Sequence, residues 1–199
     1  MRSLKIIIGL IGAALLVGGA RAALAHITPP VVLLSDRAAV VGMMPGARRF
    51  FVREVRLTPR ERALIEKDWG WKPEQDRYRF YLGRDRQGHL VSAVTFVTEI
   101  TMHGPVRVAV GIGPDGRIRD AKVVELTEET YYWLKPVLDQ GLTQAYAGRD
   151  SRASFALAER FSEARLHSMP HLYAQIVASL IQRGVVLFEV TFVKRGHTS

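Results

Sequence analysis

Between Arg77 and Leu126 the chain repeats one pattern, an apolar run followed by a tight turn, and this limits its fold more than any other feature. Arg77 to Leu82 (RYRFYL) alternates, and Arg84-Asp85-Arg86-Gln87-Gly88 supplies a turn. Leu90 to Ile100 is rich in Val, Thr and Phe, and Met102-His103-Gly104-Pro105 follows it. Val106 to Ile112 alternates again, Pro114-Asp115-Gly116 turns the chain, and Ile118 to Leu126 completes the series. Successive side chains of a strand point to opposite faces, so an alternation of period two predicts strands with one face in a core. Turns this short join antiparallel neighbours. The segment therefore predicts an antiparallel meander of about four strands.

The flanks read as helices. Ser35 precedes a short helical stretch, Asp36 to about Met44, stopped by Pro45-Gly46. Thr58-Pro59-Arg60-Glu61 forms a capping box with proline at the first helical position, and predicts a helix to Trp69 ending at Gly70. Beyond the meander, Leu134 to Gly148 reads as one short helix broken near Pro136, and Ser154 to Phe161 as another. Ser168 is placed to cap a helix carrying Leu172, Ile176, Val177, Leu180 and Ile181 at helical spacing. Gly184 interrupts that pattern, and Val185 to Val193 fits either continued helix or a terminal strand. Helix, meander, helices is the order of an α+β fold, with flanking helices and a single domain over residues 32–193.

The first 25 residues are of another kind. MRSLK is a basic head, IIIGLIGAALLVGGA an apolar stretch, and AALA a small-residue ending, the layout of a secretory signal peptide cleaved after Ala25. The alternative is an anchor over residues 4–20. That stretch falls short of the roughly 20 apolar residues of a spanning helix. Both versions predict an extracytoplasmic body, periplasmic or on the outer face of the membrane. The chain has no cysteine, so disulfides, thiolate metal sites and haem attachment through CxxCH are excluded. Its formal charge is +9, and +6 remains once residues 1–25 and their three basic residues are removed. Outside the cytoplasm such a balance points to an anionic membrane surface or an acidic protein rather than to nucleic acid.

Few motifs carry chemistry. There is no Walker loop, HExxH or GxSxG, and Gly111-x-Gly113-x-x-Gly116 spans a hairpin turn rather than a strand-to-helix turn. No catalytic set emerges. His167 and His171 share a helical spacing, but no third ligand completes a metal site. Tyr131-Tyr132-Trp133 suits either a core edge or a wall for a planar ring. The segment Phe161 to Met169, FSEARLHSM, puts an arginine, a histidine and two serines where the chain enters its last helix.

Several pieces together resemble a known family. Met44-Pro45-Gly46-Ala47, then Leu57-Thr58-Pro59-Arg60-Glu61-Arg62-Ala63, Tyr81-Leu82-Gly83-Arg84 and the run from Pro105 to Ile118 occur in its order and spacing. The chain is similar to the extracytoplasmic FMN-binding domain of Rnf-type and sodium-pumping quinone reductase subunits and of a nitrous-oxide reductase maturation regulator. The resemblance covers roughly residues 32–187. It implies electron transfer rather than stand-alone catalysis, with a redox protein or a membrane electron-transport complex as partner. The family's signature, S-G-A-T-x-S-S at the start of the last helix, carries FMN esterified to the threonine. It falls on Ser162 to Ser168, where Glu163 replaces the glycine and Arg165 the threonine. Arginine has no hydroxyl, so an ester at this position is excluded. The resemblance then leaves non-covalent FMN, with Arg165, Ser162, Ser168 and His167 around the phosphate and Thr130, Tyr131 and Tyr132 at the ring. It leaves as well a cofactor-free accessory or scaffolding subunit of a membrane-associated redox complex, or a site for something else, such as haem or a metal held through His167 and His171.

Overall fold

The structure, a computed structural model, describes residues 28–196. The leader or anchor expected over residues 1–25 lies outside the described residues. Strands β1 (Pro30–Val32), β2 (Arg49–Arg56), β3 (Arg77–Arg84), β4 (Leu90–Thr101), β5 (Gly104–Ile112) and β6 (Ile118–Thr127) form one antiparallel sheet. The spatial order is β1-β6-β5-β4-β3-β2. The meander thus runs unbroken from β2 to β6, and the expected four strands become six. β1 is only three residues long, too short for a period to show. β2 reads RFFVREVR and lies at the sheet edge with Phe50, Phe51 and Val52 exposed on both of its faces, so its sequence does not alternate.

Four helices complete the α+β fold: α1 (Asp36–Gly42), α2 (Pro59–Trp69), α3 (Glu128–Asp139) and α4 (Ser168–Phe188). The connection from β1 to β2 crosses the sheet and carries α1 with it. Ala39, Val40, Met43 and Met44 from this crossing bury against Val94, Ala109 and Val124 on one sheet face. Arg107 fixes α1 by donating to both carboxylate oxygens of Asp36 at 2.6 and 2.8 Å. The opposite face holds the main core, where β3 to β6 meet α3 and α4. Alternation in β5 makes this division visible. Val106, Val108, Val110 and Ile112 face α4, while Ala109 faces α1.

The capping box of α2 forms as expected. Thr58 Oγ1 accepts from the Glu61 amide at 3.2 Å, Glu61 accepts from the Thr58 amide at 2.7 Å, and Gly70 ends the helix at φ 65°. Other boundaries move. The helix expected from Leu134 begins at Glu128, capped by Thr127, and passes through Pro136 without breaking. Pro136 leaves the Tyr132 carbonyl without its amide partner, and Tyr132 stands in solvent, where water can serve that carbonyl. The helix expected over Ser154 to Phe161 is replaced by extended chain and a single 3-10 turn, Glu159–Phe161. Phe155 and Leu157 both pack against the core, and that period of two belongs to an extended segment. Beyond α4, Val185 to Val193 continues as helix, closing in the π-helical turn Glu189–Val193. The stretch Ser168–Val193 has the length and apolarity to cross a membrane, yet two thirds of its most apolar window is buried inside the fold, as in a core helix.

Candidate functional site

The segment FSEARLHSM closes on itself before α4 begins. Phe161 is fully buried and anchors it, and the amides of Arg165 and Leu166 both bond to the Ser162 carbonyl, at 3.0 and 2.9 Å. His167 is the N-cap of α4, so Ser168 is the first helical residue and not the cap expected from sequence. The His167 side chain makes no capping hydrogen bond, and His171 is the first residue whose amide pairs within the helix. Such a helix start presents free amides and the positive end of the helix dipole. Arg165, His167 and Ser168 are exposed, and Arg165 makes no ion pair among the described residues. Ser162 differs from them: its Oγ is buried without a hydrogen-bond partner.

The other expected residues separate from this group. Thr130 is fully buried inside the N-terminal turn of α3. Thr127 Oγ1 donates to the His103 carbonyl at 2.9 Å, so in the 2.8 Å contact between the two threonines Thr130 is the donor. That hydroxyl serves the fold. Tyr131 packs against the main core, whereas Tyr132 is 76% exposed. The histidines do not converge: His171 Nδ1 contacts the Phe161 carbonyl at 2.9 Å and Nε2 contacts Gln175 at 3.1 Å, leaving His167 outside. Among the described residues no three His, Asp or Glu side chains gather as a metal site.

Two grooves flank α4. The first, about 550 Å³, is lined by Phe155, Leu157, Ser162, Glu163, His171 and Gln175. The second, about 600 Å³ and the more enclosed, is lined by Trp69, Trp71, Tyr78, Glu99 and Arg183. Ser179 and Gln182 on α4 border both. Sequence reasoning missed the second groove. Its signal was the Trp69-Gly70-Trp71 stretch, which registers only as the end of α2, and its other walls come from β3, β4 and α4. A part-buried network was missed for the same reason. Tyr173 on α4 lies 2.8 Å from His103 Nδ1 and 2.9 Å from Thr101 Oγ1, and Trp133 of α3 packs on both rings, holding the β4–β5 turn against the helices.

The chain matches no family model, no curated protein and no solved structure. The fit of an FMN is therefore judged on these residues alone. At the phosphate end the residues fit: an unpaired arginine, free helix amides and a buried serine hydroxyl without a partner are grouped within one short segment. At the ring end the first groove has the volume of a small-molecule site, roughly 300 to 1,000 Å³. Its apolar wall is Phe155 and Leu157, while Tyr131 and Tyr132 line neither groove.

Proposed function

We propose that this chain is an exported FMN-binding-type domain serving extracytoplasmic electron transfer, with FMN held without a covalent bond at the start of α4. The observation that carries this reading is the grouping in one short segment of Arg165, Ser162 and the uncapped α4 start, of which Ser162 lines a groove of about 550 Å³. Arg165 would pair with the phosphate, and the free amides at the start of α4 would donate to it. The Ser162 and Ser168 hydroxyls complete the donor set, and His167 borders it. Bound flavin supplies one- or two-electron transfer, while the protein contributes position and potential. The basic surface suits a redox partner or the anionic face of a membrane electron-transport complex.

A cofactor-free accessory role has its own observation. The two tyrosines lie away from the groove, and the Glu163 carboxylate lines it, which opposes an anionic ligand. Titration of FMN against wild type and Arg165→Ala, followed by flavin fluorescence, separates the two readings. Non-covalent binding predicts saturation in wild type and a loss of roughly tenfold or more in the variant, about 1.4 kcal/mol. Equal affinities would remove Arg165 from the site. No binding by either protein would leave the accessory role.

A further inference from the structure

Among the described residues three buried side-chain polar atoms lack a hydrogen-bond partner: Ser162 Oγ, Tyr78 Oη and Arg183 Nε. The first belongs to the site above. The other two line the same groove on the opposite side of the shared Ser179 and Gln182. A buried donor without a partner costs about 1–3 kcal/mol, and native folds leave few of them. Two in one groove call for an occupant that supplies acceptors.

The surroundings define what that occupant is. Tyr78 is 6% exposed, and burial holds its phenol above the ordinary tyrosine range, against the opposing pull of the Gln75 amide, Arg62 and Arg183. The Gln75 amide is nearby without reaching hydrogen-bond geometry, so the phenol is a neutral O–H with a free proton. Arg183 donates from its terminal nitrogen to the Glu99 carboxylate and lies 5.3 Å from the centre of the Trp71 ring. Its charge is matched by Glu99 and its plane is held, while Nε–H stays free. Trp69 is equally fixed, with Nε1 donating to the Ser151 carbonyl at 2.7 Å. Lys72 and Glu74 at the rim cancel in sign.

The site is therefore electrically balanced, flanked by held indole rings, and supplied with both fixed donors and acceptors. An anion gains no net attraction here, and a purely apolar ligand leaves Tyr78 Oη and Arg183 Nε unpaired. A sugar satisfies each condition. Its C–H face packs on an indole, and each hydroxyl both donates and accepts, matching the phenol, the guanidinium, the carboxylates and the amides of Gln75 and Gln182. We propose that the groove between α2, β4 and α4 is a binding site for a neutral saccharide, one that does not depend on the FMN reading.

The test is a titration of the full domain with cellotetraose, maltotetraose, xylotetraose and chitotetraose, followed by tryptophan emission. At least one is expected to shift the emission saturably, and Trp71→Ala to abolish the shift. Tyr78→Phe guards against misreading a folding defect. It removes an unpartnered hydroxyl, so thermal stability is expected to hold or rise while saccharide affinity falls about tenfold. No response to any of the four sugars, or unchanged affinity in Tyr78→Phe, overturns the proposal. Flavin fluorescence in the same samples reads the other site separately, so failure of either is seen without the other.

Discussion

Gly184 lies inside α4, where an alanine is expected on propensity alone to stabilise by about 0.5–1 kcal/mol. The packing predicts the opposite sign. A Cβ built on Gly184 meets Val110 Cγ2 at 2.8 Å, Val110 Cβ at 2.9 Å and Val110 Cγ1 at 3.3 Å. Carbon atoms rest about 3.5–4.0 Å apart, so the overlap approaches an ångström. Val110 Cβ is fixed to the backbone of β5, a central strand, so no flexible end can swing away. Overpacking of this kind costs about 1–3 kcal/mol, and the upper half of that range applies where a strand or a helix must shift. After the propensity gain, Gly184→Ala is expected to lose about 1–2 kcal/mol net. For a domain of this size each kcal/mol is worth about 2–4 °C, so Tm by far-UV circular dichroism should fall by about 2–8 °C. The double variant with Val110→Ala removes the Cγ1 and Cγ2 overlaps while the Cβ contact at 2.9 Å stays, so relief is partial and the cycle should show favourable coupling of at least about 0.5 kcal/mol. A Tm that holds or rises in Gly184→Ala, or strict additivity in the cycle, would refute the claim that this glycine exists for close approach of helix to sheet.

Three further outcomes follow from local geometry. Thr58→Ala removes the side-chain half of the α2 capping box, leaving the Glu61 carboxylate on the residue-58 amide, and should cost about 1 kcal/mol in chemical denaturation. Acid should destabilise the fold. Arg107 holds Asp36 below its ordinary 3.8, and Arg79 holds Glu54 below 4.5. Partial burial pushes Glu61 up, but hydrogen bonds from Arg195 and Thr58 outweigh it and keep this carboxyl low as well. Folded values below the unfolded ones mean that this stability is complete above the ordinary carboxylate range and is lost as pH falls through it. Tm should therefore stay level down to about pH 5 and drop below it, and Arg195→Ala should make that drop smaller. A Tm that rises on acidification would contradict the assignment. Finally, Phe51→Lys on the exposed β2 edge should reduce concentration-dependent light scattering with a stability change within about 0.5 kcal/mol.

What could be read from the sequence depended on how locally each feature is specified. Strands β3 to β6 were legible because their faces differ in burial, and alternation records that difference. The α2 cap was legible because its two reciprocal bonds lie within four residues. β2 was not, because an edge strand exposed on both faces leaves no period. Gly184 interrupts the helical pattern in one dimension, and only Val110, from a distant strand, shows why a helix needs a glycine there. At the candidate site, FSEARLHSM and its place at the start of the last helix were visible in one dimension. The resemblance implies Tyr131 and Tyr132 at the ring, but helical geometry turns Tyr131 into the core and Tyr132 into water. The Trp71–Tyr78–Arg183 groove brings together residues more than a hundred positions apart, and no local pattern marks it.

The central claim, a flavin domain without the ester, is tested most directly by the visible spectrum of the purified protein before and after acid precipitation. The account predicts a flavin band in the intact protein, or after incubation with FMN, that passes wholly into the supernatant when the protein is precipitated. A protein that stays colourless and leaves added FMN unchanged would contradict it, as would flavin that remains in the pellet.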